Sequence, residues 1–302
     1  LAAHLGLFKP DLIVTDDAEL KQELEIPLQG NSVILIQELE GKGAGISPPR
    51  GKQDLQGPAV ALISERGSII YHSHKSLLAG AVSWSSFVPL KAEDVMLALS
   101  PLHTWEGLYS LFPVLFRGGS CFLGSLDDSE RIAHSVREHH PGYSILPRTE
   151  AAKLYGSVYS PVVQAFRDNI QGLFVSVMGP FTAAGRRRLR NLLNKPALLT
   201  YGSTECGAAL SSHPTWYLDD AVGIPLTNVD VWPLNPDNGI PLEVPWEAIE
   251  FGEVGMKSPM NAANYQDPEE KERNVHDGWT RSRLVATMDP NGLFYIQSRV
   301  GD

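Results

Sequence analysis

Residues 199–207 carry the densest group of chemically useful side chains in the sequence. They run Leu199-Thr-Tyr-Gly-Ser-Thr-Glu-Cys-Gly207, at the end of an apolar segment that is typical of a strand. An adenine can stack on the Tyr201 ring, hydroxyl groups can donate to a phosphate, and the Glu205 carboxylate can hold Mg²⁺ against that phosphate. The same residue types also suit a polar turn with a capping Ser or Thr, so their meaning depends on the elements that position them.

Apolar segments of strand and helix length alternate from residue 58 to residue 210. The sequence predicts strands such as Val95–Leu99 and Leu173–Val177, with helices such as Lys75–Trp84 between them. This alternation predicts an α/β fold with a mainly parallel sheet and helices on both faces. Ligands bind such sheets at the carboxyl ends of the strands, so the loops Ser100–Gly107 and Tyr201–Gly207 are expected to carry the chemistry.

The organisation changes after Ala221, where short strands are separated by Asn, Pro, Asp and Gly. This pattern predicts a small antiparallel β-barrel subdomain. Residues 41–57 are rich in Gly, Pro, Lys and Gln and lack apolar periodicity, which predicts a surface loop. We therefore expect three parts: a remnant of a first α/β subdomain with a linker (1–56), an α/β subdomain (57–215) and a β-barrel-like subdomain (216–302).

Composition excludes several classes of partner. The 35 acidic and 25 basic residues among 302 give a net charge of −10, which opposes binding to nucleic acid or an anionic bilayer. The basic run Arg186-Arg187-Arg188 is interpreted as a solvated helix face. The apolar-rich Leu108–Leu123 is interrupted by Pro, Arg and Gly, so it predicts a buried helix followed by a strand and no membrane span. Two cysteines without a disulfide framework favour a cytoplasmic protein.

Other site types find little support. The pair His72-x-His74 places two imidazoles on one face of a strand, but no third metal ligand is evident nearby, and structural histidines are commoner. The sequence has no Gly-x-Ser-x-Gly elbow and no Gly-x₄-Gly-Lys-Ser/Thr loop, so a serine hydrolase and a P-loop NTPase are not supported.

The turn at 199–207 resembles the Tyr-Gly-x-Thr-Glu signature of the adenylate-forming superfamily, which includes acyl- and aryl-CoA ligases, luciferases and peptide-synthetase adenylation domains. Further segments resemble that family's landmarks, in the same order. They are Leu99-Ser-Pro-Leu-His103, Val177-Met-Gly-Pro-Phe181, Gly223-Ile-Pro225, Gly252-Glu-Val254, Asn264-Tyr-Gln-Asp-Pro-Glu269, Asp277-Gly-Trp279, Asp289-Pro-Asn-Gly-Leu-Phe-Tyr-Ile296 and Ser298-Arg299. The resemblance covers nearly the whole chain, so the chain is identified as a member on its motifs.

The resemblance implies an AMP-forming ligase. ATP would activate a carboxylic acid as an acyl-adenylate, and the acyl group would pass to a thiol of CoA or a carrier protein. The implied nucleotide-binding residues are Tyr201, Gly202, Ser203, Thr204 and Arg299, with Tyr201 facing the adenine. Thr204 would contact the α-phosphate and Glu205 would bind Mg²⁺, and these two with His103 form the implied catalytic set. His103, Gly179 and Pro180 would border the acyl pocket.

Two segments depart from the family pattern. The family holds the β- and γ-phosphates in a loop rich in Ser, Thr and Gly with a lysine, whereas residues 63–70 are short and carry the acidic Glu65. Arg66, Gly67 and Ser68 could still contact one phosphate. Leu284 stands where the family has an aspartate that accepts both ribose hydroxyls.

These departures leave two interpretations open. The first is an acyl- or aryl-acid ligase-like enzyme. The second is a repurposed or inactive member that binds an acyl ligand or a protein partner. The resemblance also implies that the family's hinge lies at Asp302, with its small C-terminal domain absent after it, and that most of the N-terminal subdomain is missing.

Overall fold

The computed structural model describes residues 12–15, 18–25, 32–35, 54–64, 67–156 and 160–301. They belong to two units, one within residues 1–54 and one within residues 55–302. In the first unit, β1 (Leu12–Thr15) pairs in parallel with β2 (Ser32–Leu35), and α1 (Ala18–Glu25) lies between them in sequence. The sequence predicts strands at Leu12–Val14 and Ser32–Gln37, and a strand is found in each of these segments. Of the loop predicted for residues 41–57, residues 41–53 lie outside the described part.

The second unit contains the remaining strands and helices. Its strands are β3 (Pro58–Ile63), β4 (Ile69–Ser73), β5 (Val95–Ala98), β6 (Ser120–Leu123), β7 (Tyr143–Pro147), β8 (Gly172–Ser176), β9 (Ala197–Ser203), β10 (Gly207–Ser211), β11 (Ile224–Pro225), β12 (Asp230–Leu234), β13 (Gly252–Lys257), β14 (Asn264–Tyr265), β15 (Val275–His276), β16 (Trp279–Met288) and β17 (Phe294–Arg299). Its helices are α2 (His74–Phe87), α3 (Trp105–Phe116), α4 (Ser129–His139), α5 (Arg148–Lys153), α6 (Pro161–Asn169), α7 (Ala183–Leu193) and α8 (Pro268–Asn274).

The largest sheet has the strand order β11-β10-β9-β8-β7-β5-β6. The five strands from β6 to β9 are parallel, whereas β10 and β11 are antiparallel to their neighbours. All five residues of β8 are buried, as expected for a strand covered by helices on both faces. The predicted α/β fold with a mainly parallel sheet is confirmed, and so are the helix and strand expected in Leu108–Leu123, as α3 and β6.

Two smaller sheets are antiparallel. One has the order β12-β13-β16-β15, with β17 also paired to β16. This five-stranded sheet confirms the antiparallel strands expected after Ala221. The other has the order β14-β4-β3, so β3 and β4 form a hairpin outside the parallel sheet. None of the described helices is both long and apolar enough to cross a membrane.

Arg186 on α7 corrects the interpretation of its basic run as a solvated face. Its side chain is fully buried and donates to the carbonyl oxygens of Ala197, Leu218 and Ala221 and to the Ser212 hydroxyl, at 2.6 to 3.0 Å. Burial lowers its pKa to about 10, so the guanidinium stays charged at neutral pH. The buried cation therefore ties α7 to the β9–β10 hairpin, because these acceptors offset its desolvation.

Candidate functional site

The turn between β9 and β10 lies at the carboxyl end of the last parallel strand. Ser203 pairs with Gly207, so Thr204 and Glu205 lie in the turn itself. The Ser203 hydroxyl accepts a hydrogen bond from the Glu205 N–H at 3.2 Å. Gly207 has φ +64°, and a Cβ there would lie 2.1 Å from the Tyr109 hydroxyl oxygen, so glycine is required. The sequence itself therefore holds the turn in this conformation.

His72 on β4 braces the same turn from the other side. Its Nε2 lies 2.6 Å from the Thr204 carbonyl oxygen, and the ring is almost completely buried. Burial lowers the pKa of His72 from 6.5, against a smaller opposite effect of this hydrogen bond. No group of three His, Cys, Asp or Glu side chains suited to a metal occurs in the described part of the chain. His72 therefore has a structural role, since its ring contacts the turn.

Tyr201 joins the parallel sheet to the antiparallel one. Its ring is buried, and its hydroxyl donates to the Ser282 carbonyl oxygen on β16 at 2.9 Å. The ring also contributes to the wall of a cavity in the same unit. One face of the cavity is thus an aromatic ring fixed at both its backbone and its hydroxyl end.

This cavity has a volume of about 390 Å³. It lies between the parallel and the antiparallel sheet and draws on segments far apart in sequence. Its lining residues are Ile63, His103, Thr104, Trp105, Glu106, Met178, Tyr201, Ser203, Thr204, Glu205, Glu270, Asn274, Arg281, Ser282, Arg283, Arg299 and Val300. Six of the nine site residues predicted from the sequence are among them, namely His103, Tyr201, Ser203, Thr204, Glu205 and Arg299.

The other three predicted residues lie near the wall without lining it. Gly202 is packed so closely that a Cβ would lie 2.5 Å from the Gly207 carbonyl oxygen and 2.8 Å from the Trp105 ring. Its lack of a side chain thus allows the hairpin to approach α3. Met178 contributes to the lining, but Gly179 and Pro180, which follow it, do not.

The turn between β3 and β4 stands where the family pattern has its phosphate loop. Ile63 pairs with Ile69, so the turn is short. The Ser64 N–H donates to the Ser68 carbonyl, the Gly67 N–H to the Ser64 carbonyl and the Ser68 N–H to the Ser64 hydroxyl. These three N–H groups are therefore used inside the turn and do not point to a ligand. Glu65 and Arg66 lie outside the described residues.

A kink in β16 shapes the opposite wall. Arg283 has φ +60°, in the left-handed region where glycine is favoured. Its N–H donates to the Glu253 carboxylate at 2.9 Å, and the same buried carboxylate accepts from the Arg281 guanidinium at 2.5 to 3.1 Å. The next residue, Leu284, is 1% exposed and packs in the hydrophobic core. Leu284 therefore does not contribute to the cavity lining.

Several polar cavity residues were missed by the sequence reasoning, among them Glu106, Glu270 and Asn274. Glu106 is buried, and its carboxylate accepts a hydrogen bond from the Ser176 hydroxyl at 2.7 Å. Glu270 and Asn274 lie one turn apart on α8, and both are buried against the cavity. The signal for α8 was their spacing of four residues, because it places two polar side chains on one helix face.

The donor set suits a nucleotide with Mg²⁺. Hydroxyl groups of Ser203 and Thr204 and the guanidinium of Arg299 can donate to phosphate or ribose oxygens. The carboxylate of Glu205 supplies the hard oxygen ligand that Mg²⁺ prefers. The residues present therefore fit the cation, with Glu205 as a ligand.

Comparison with curated proteins identifies relatives that match part of the chain. A long-chain-fatty-acid–CoA ligase of Yersinia pestis is 29% identical over 126 residues, which cover 41% of this chain and 22% of the ligase. A long-chain-fatty-acid–CoA ligase of Salmonella typhimurium is 31% identical over 106 residues, 34% of this chain and 18% of the ligase. These matches span about a fifth of the length of the curated relatives.

Solved structures share the fold over almost the entire chain. ATP-bound MatB from Rhodopseudomonas palustris has a TM-score of 0.80 at 18% identity, with 98% of this chain and 60% of that protein covered. The O-succinylbenzoate coenzyme A synthetase of Bacillus subtilis, in complex with ATP and magnesium ion, has a TM-score of 0.78 at 20% identity, with 98% and 61% covered. This chain spans about three fifths of their length.

A family model described as AMP-binding enzyme matches residues 69–266, which is more than half of the chain. The match includes the turn at 201–205 and extends to the segment before α8. The chain belongs to the family of AMP-binding enzymes.

Proposed function

We propose that this chain is the nucleotide- and acid-binding part of an AMP-forming acyl- or aryl-acid ligase of the acyl-CoA synthetase type. One observation carries the proposal. A single cavity collects an aromatic ring, two hydroxyl groups, a carboxylate and a guanidinium, the groups needed to hold adenine, phosphate, Mg²⁺ and ribose. Three of them, Tyr201, Thr204 and Glu205, come from one short turn.

The nucleotide would lie along this turn. The ring of Tyr201 stacks on adenine, and the Thr204 hydroxyl donates to the α-phosphate. Gly202 lets the hairpin pack closely on α3, which fixes the direction of the Ser203 and Thr204 side chains. Arg299 approaches the nucleotide from the end of β17. The Glu205 carboxylate binds Mg²⁺, which when bound neutralises charge on the phosphates.

The carboxylic acid would enter on the side of His103. This imidazole lines the cavity near Met178, and the following Gly179 and Pro180 are proposed to border the acyl pocket as the pocket continues. The acid's carboxylate oxygen attacks the α-phosphorus, the bond to the pyrophosphate oxygen breaks, and pyrophosphate leaves with that electron pair. His103, Thr204 and Glu205 orient the attacking and leaving oxygens.

The acyl group would then pass from AMP to a thiol. The names of the curated relatives and of the solved structures support CoA as the acceptor, and a carrier protein is a second proposed acceptor. The chain's own thiols are poor nucleophiles, because burial raises the pKa of Cys121 to about 11 and that of Cys206 to about 12.

We propose a cytoplasmic location and subdomains at 57–215 and 216–302.

A non-catalytic role is the weaker interpretation. The two departures from the family pattern that motivate it are Glu65 and Leu284, and Glu65 lies outside the described residues. Leu284 cannot accept the ribose hydroxyls as the family's aspartate would, but it packs in the core and leaves the other cavity contacts in place.

The test is a calorimetric titration of the 302-residue chain with Mg·ATP and then with AMP. We expect micromolar binding, about −8 kcal/mol, which is lost in Glu205→Ala for Mg·ATP. The matched control is Glu269→Ala, because the Glu269 side chain is 83% exposed on α8 and does not line the cavity. It should bind like the wild type.

The proposal fails if a folded wild-type chain binds neither Mg·ATP nor AMP. If the wild-type chain binds Mg·ATP, release of pyrophosphate from ATP in the presence of a panel of fatty and aryl acids would identify the acid. Equal binding by Glu205→Ala and the wild type would contradict the role given to Glu205.

A further inference from the structure

Glu270 is a buried carboxylate that the proposed reaction has not used. The residue is 2% exposed and lies on α8. Neither of its carboxylate oxygens has a hydrogen-bond partner in the part of the chain that the structure describes. The side chain lines the same cavity as Glu205. Burying a carboxylate without a hydrogen-bond donor raises the free energy of the folded chain.

Glu205 on the turn and Glu270 on α8 both line the cavity. The Ala262 N–H donates to the Glu205 carbonyl oxygen at 2.7 Å, which fixes the segment before β14 on the turn. The chain then passes through Tyr265 into α8. Burial raises the pKa of the Tyr265 phenol, and the charges of Glu205, Cys206 and Glu270 raise it further.

Two carboxylates that share a cavity repel each other unless a cation lies between them. Two guanidinium groups of the cavity lining have other acceptors, since Arg281 donates to Glu253 and Arg283 donates to Asn274. Oxygen ligands from one or two carboxylates, completed by phosphates and water, are the usual surroundings of Mg²⁺ in nucleotide sites. The pair of Glu205 and Glu270 matches this description.

We propose that Glu270 is a second carboxylate ligand, beside Glu205, of the divalent cation that binds with the phosphates of the nucleotide. This inference rests on the proposed function. Two carboxylates fall short of a three-ligand protein site among the described residues, so the cation binds tightly only with a polyphosphate present. The N–H groups of the β3–β4 turn donate within the turn and do not bind phosphate. A cation held by two carboxylates would bind the phosphates in their place.

The test measures the cation directly, with Mn²⁺ as the probe and the electron paramagnetic resonance signal of free Mn²⁺ as the readout. The full 302-residue chain is titrated in the presence of inorganic tripolyphosphate, which has no ribose or adenine. We expect Glu270→Gln to weaken Mn²⁺ binding about tenfold or more, equivalent to about 1.4 kcal/mol. Glu205→Gln should weaken it as well.

The matched control is Glu269→Gln on the same helix, whose exposed side chain should leave Mn²⁺ affinity within about twofold of the wild type. Urea denaturation accompanies each variant. Glu270→Gln should be at least as stable as the wild type, because an amide of the same shape removes a buried, unpartnered charge.

The outcomes separate this inference from the proposed function. If Glu205→Gln weakens Mn²⁺ binding and Glu270→Gln does not, the second ligand is refuted and the nucleotide site stands. If Glu270→Gln weakens adenosine binding with an unchanged Mn²⁺ affinity, Glu270 contacts the nucleoside and the metal assignment is overturned. If the wild type binds neither Mn²⁺ with tripolyphosphate nor Mg·ATP, both proposals fail.

Discussion

The hydroxyl of Tyr201 donates to the carbonyl oxygen of Ser282 at 2.9 Å, across 81 positions of sequence. The bond joins β9 of the parallel sheet to the kink of β16 in the antiparallel sheet. The ring beneath this hydroxyl is the surface proposed to stack on adenine. The same side chain therefore has a structural end and a binding face, and the two can be separated by mutation.

Replacing Tyr201 by Phe removes the bond and keeps the ring. We expect the free energy of unfolding to fall by about 1–2 kcal/mol, because the buried Ser282 carbonyl loses its donor, while AMP affinity changes less than about twofold. Urea denaturation and calorimetry measure the two quantities. Tyr155→Phe is the matched control, since its hydroxyl also donates to a carbonyl, that of Gly185, away from the cavity. A tenfold loss of AMP affinity in Tyr201→Phe would mean that the hydroxyl contacts the nucleotide.

The buried pair of Arg281 and Glu253 should dominate the stability of the cavity wall. Arg281→Met retains the aliphatic stem but leaves the Glu253 charge without its guanidinium, so we expect a loss of about 3–5 kcal/mol in urea denaturation. Adding Glu253→Gln should recover part of this loss, because it removes the stranded charge. The exposed pair of Arg273 with Asp267 is the comparison, and Arg273→Ala should cost less than about 1 kcal/mol. Equal losses at the two pairs would contradict this account.

Leu284 offers a test of whether the missing aspartate can be restored. Because the side chain packs in the core, Leu284→Asp should lower the free energy of unfolding by about 3 kcal/mol or more and should not improve AMP binding. Leu284→Ala separates the loss of packing from the added charge. A stable Leu284→Asp protein with tighter AMP binding would show that this position reaches the ribose.

His72 makes stability depend on pH. The pKa of His72 in the folded chain is below 6.5, which is its value in the unfolded chain. At a pH between the two pKa values, the unfolded chain therefore binds a proton that the folded chain does not. The free energy of unfolding should therefore fall as the pH decreases from about 6.5, by at most about 1.4 kcal/mol per pH unit from this residue. Above pH 6.5 the contribution is complete. Urea midpoints of the wild type and His72→Gln at pH 8.0, 6.5 and 5.5 measure it, and parallel curves would exclude the effect.

The sequence predicted the parts of the site that depend on local chemistry. The turn at 203–207 follows from a serine that accepts N–H groups and a glycine with positive φ, and both are visible in the sequence. Alternating apolar segments predicted the parallel sheet, and hence the end of it at which the turn lies. The position of His103 followed from the same rule.

What the sequence did not predict depends on long-range packing. The burial of Arg186 required knowing that four acceptors meet at α7, although its spacing of three from Leu189 already placed it on the apolar face of the helix. Glu270 was not identified from the sequence, because its burial depends on the packing of α8 against β14 and on the contact of Ala262 with the turn. The pairing of β4 with β14 could not be predicted either, since Tyr71 and its partner Asn264 are 193 positions apart (264 − 71).

The composition of the cavity wall has a consequence for how the protein folds. His103 and Arg299 are 196 positions apart (299 − 103), and both line one cavity. Contacts of such sequence separation form late, because closing a long loop costs entropy before any contact compensates for it. The turn at 201–205 can form early from its own hydrogen bonds, but it has no opposite wall until β16 and β17 have paired. A fluorescent ligand of this cavity would therefore time a late stage of folding, and a nascent chain would acquire this binding site only after β16 and β17 had left the ribosome.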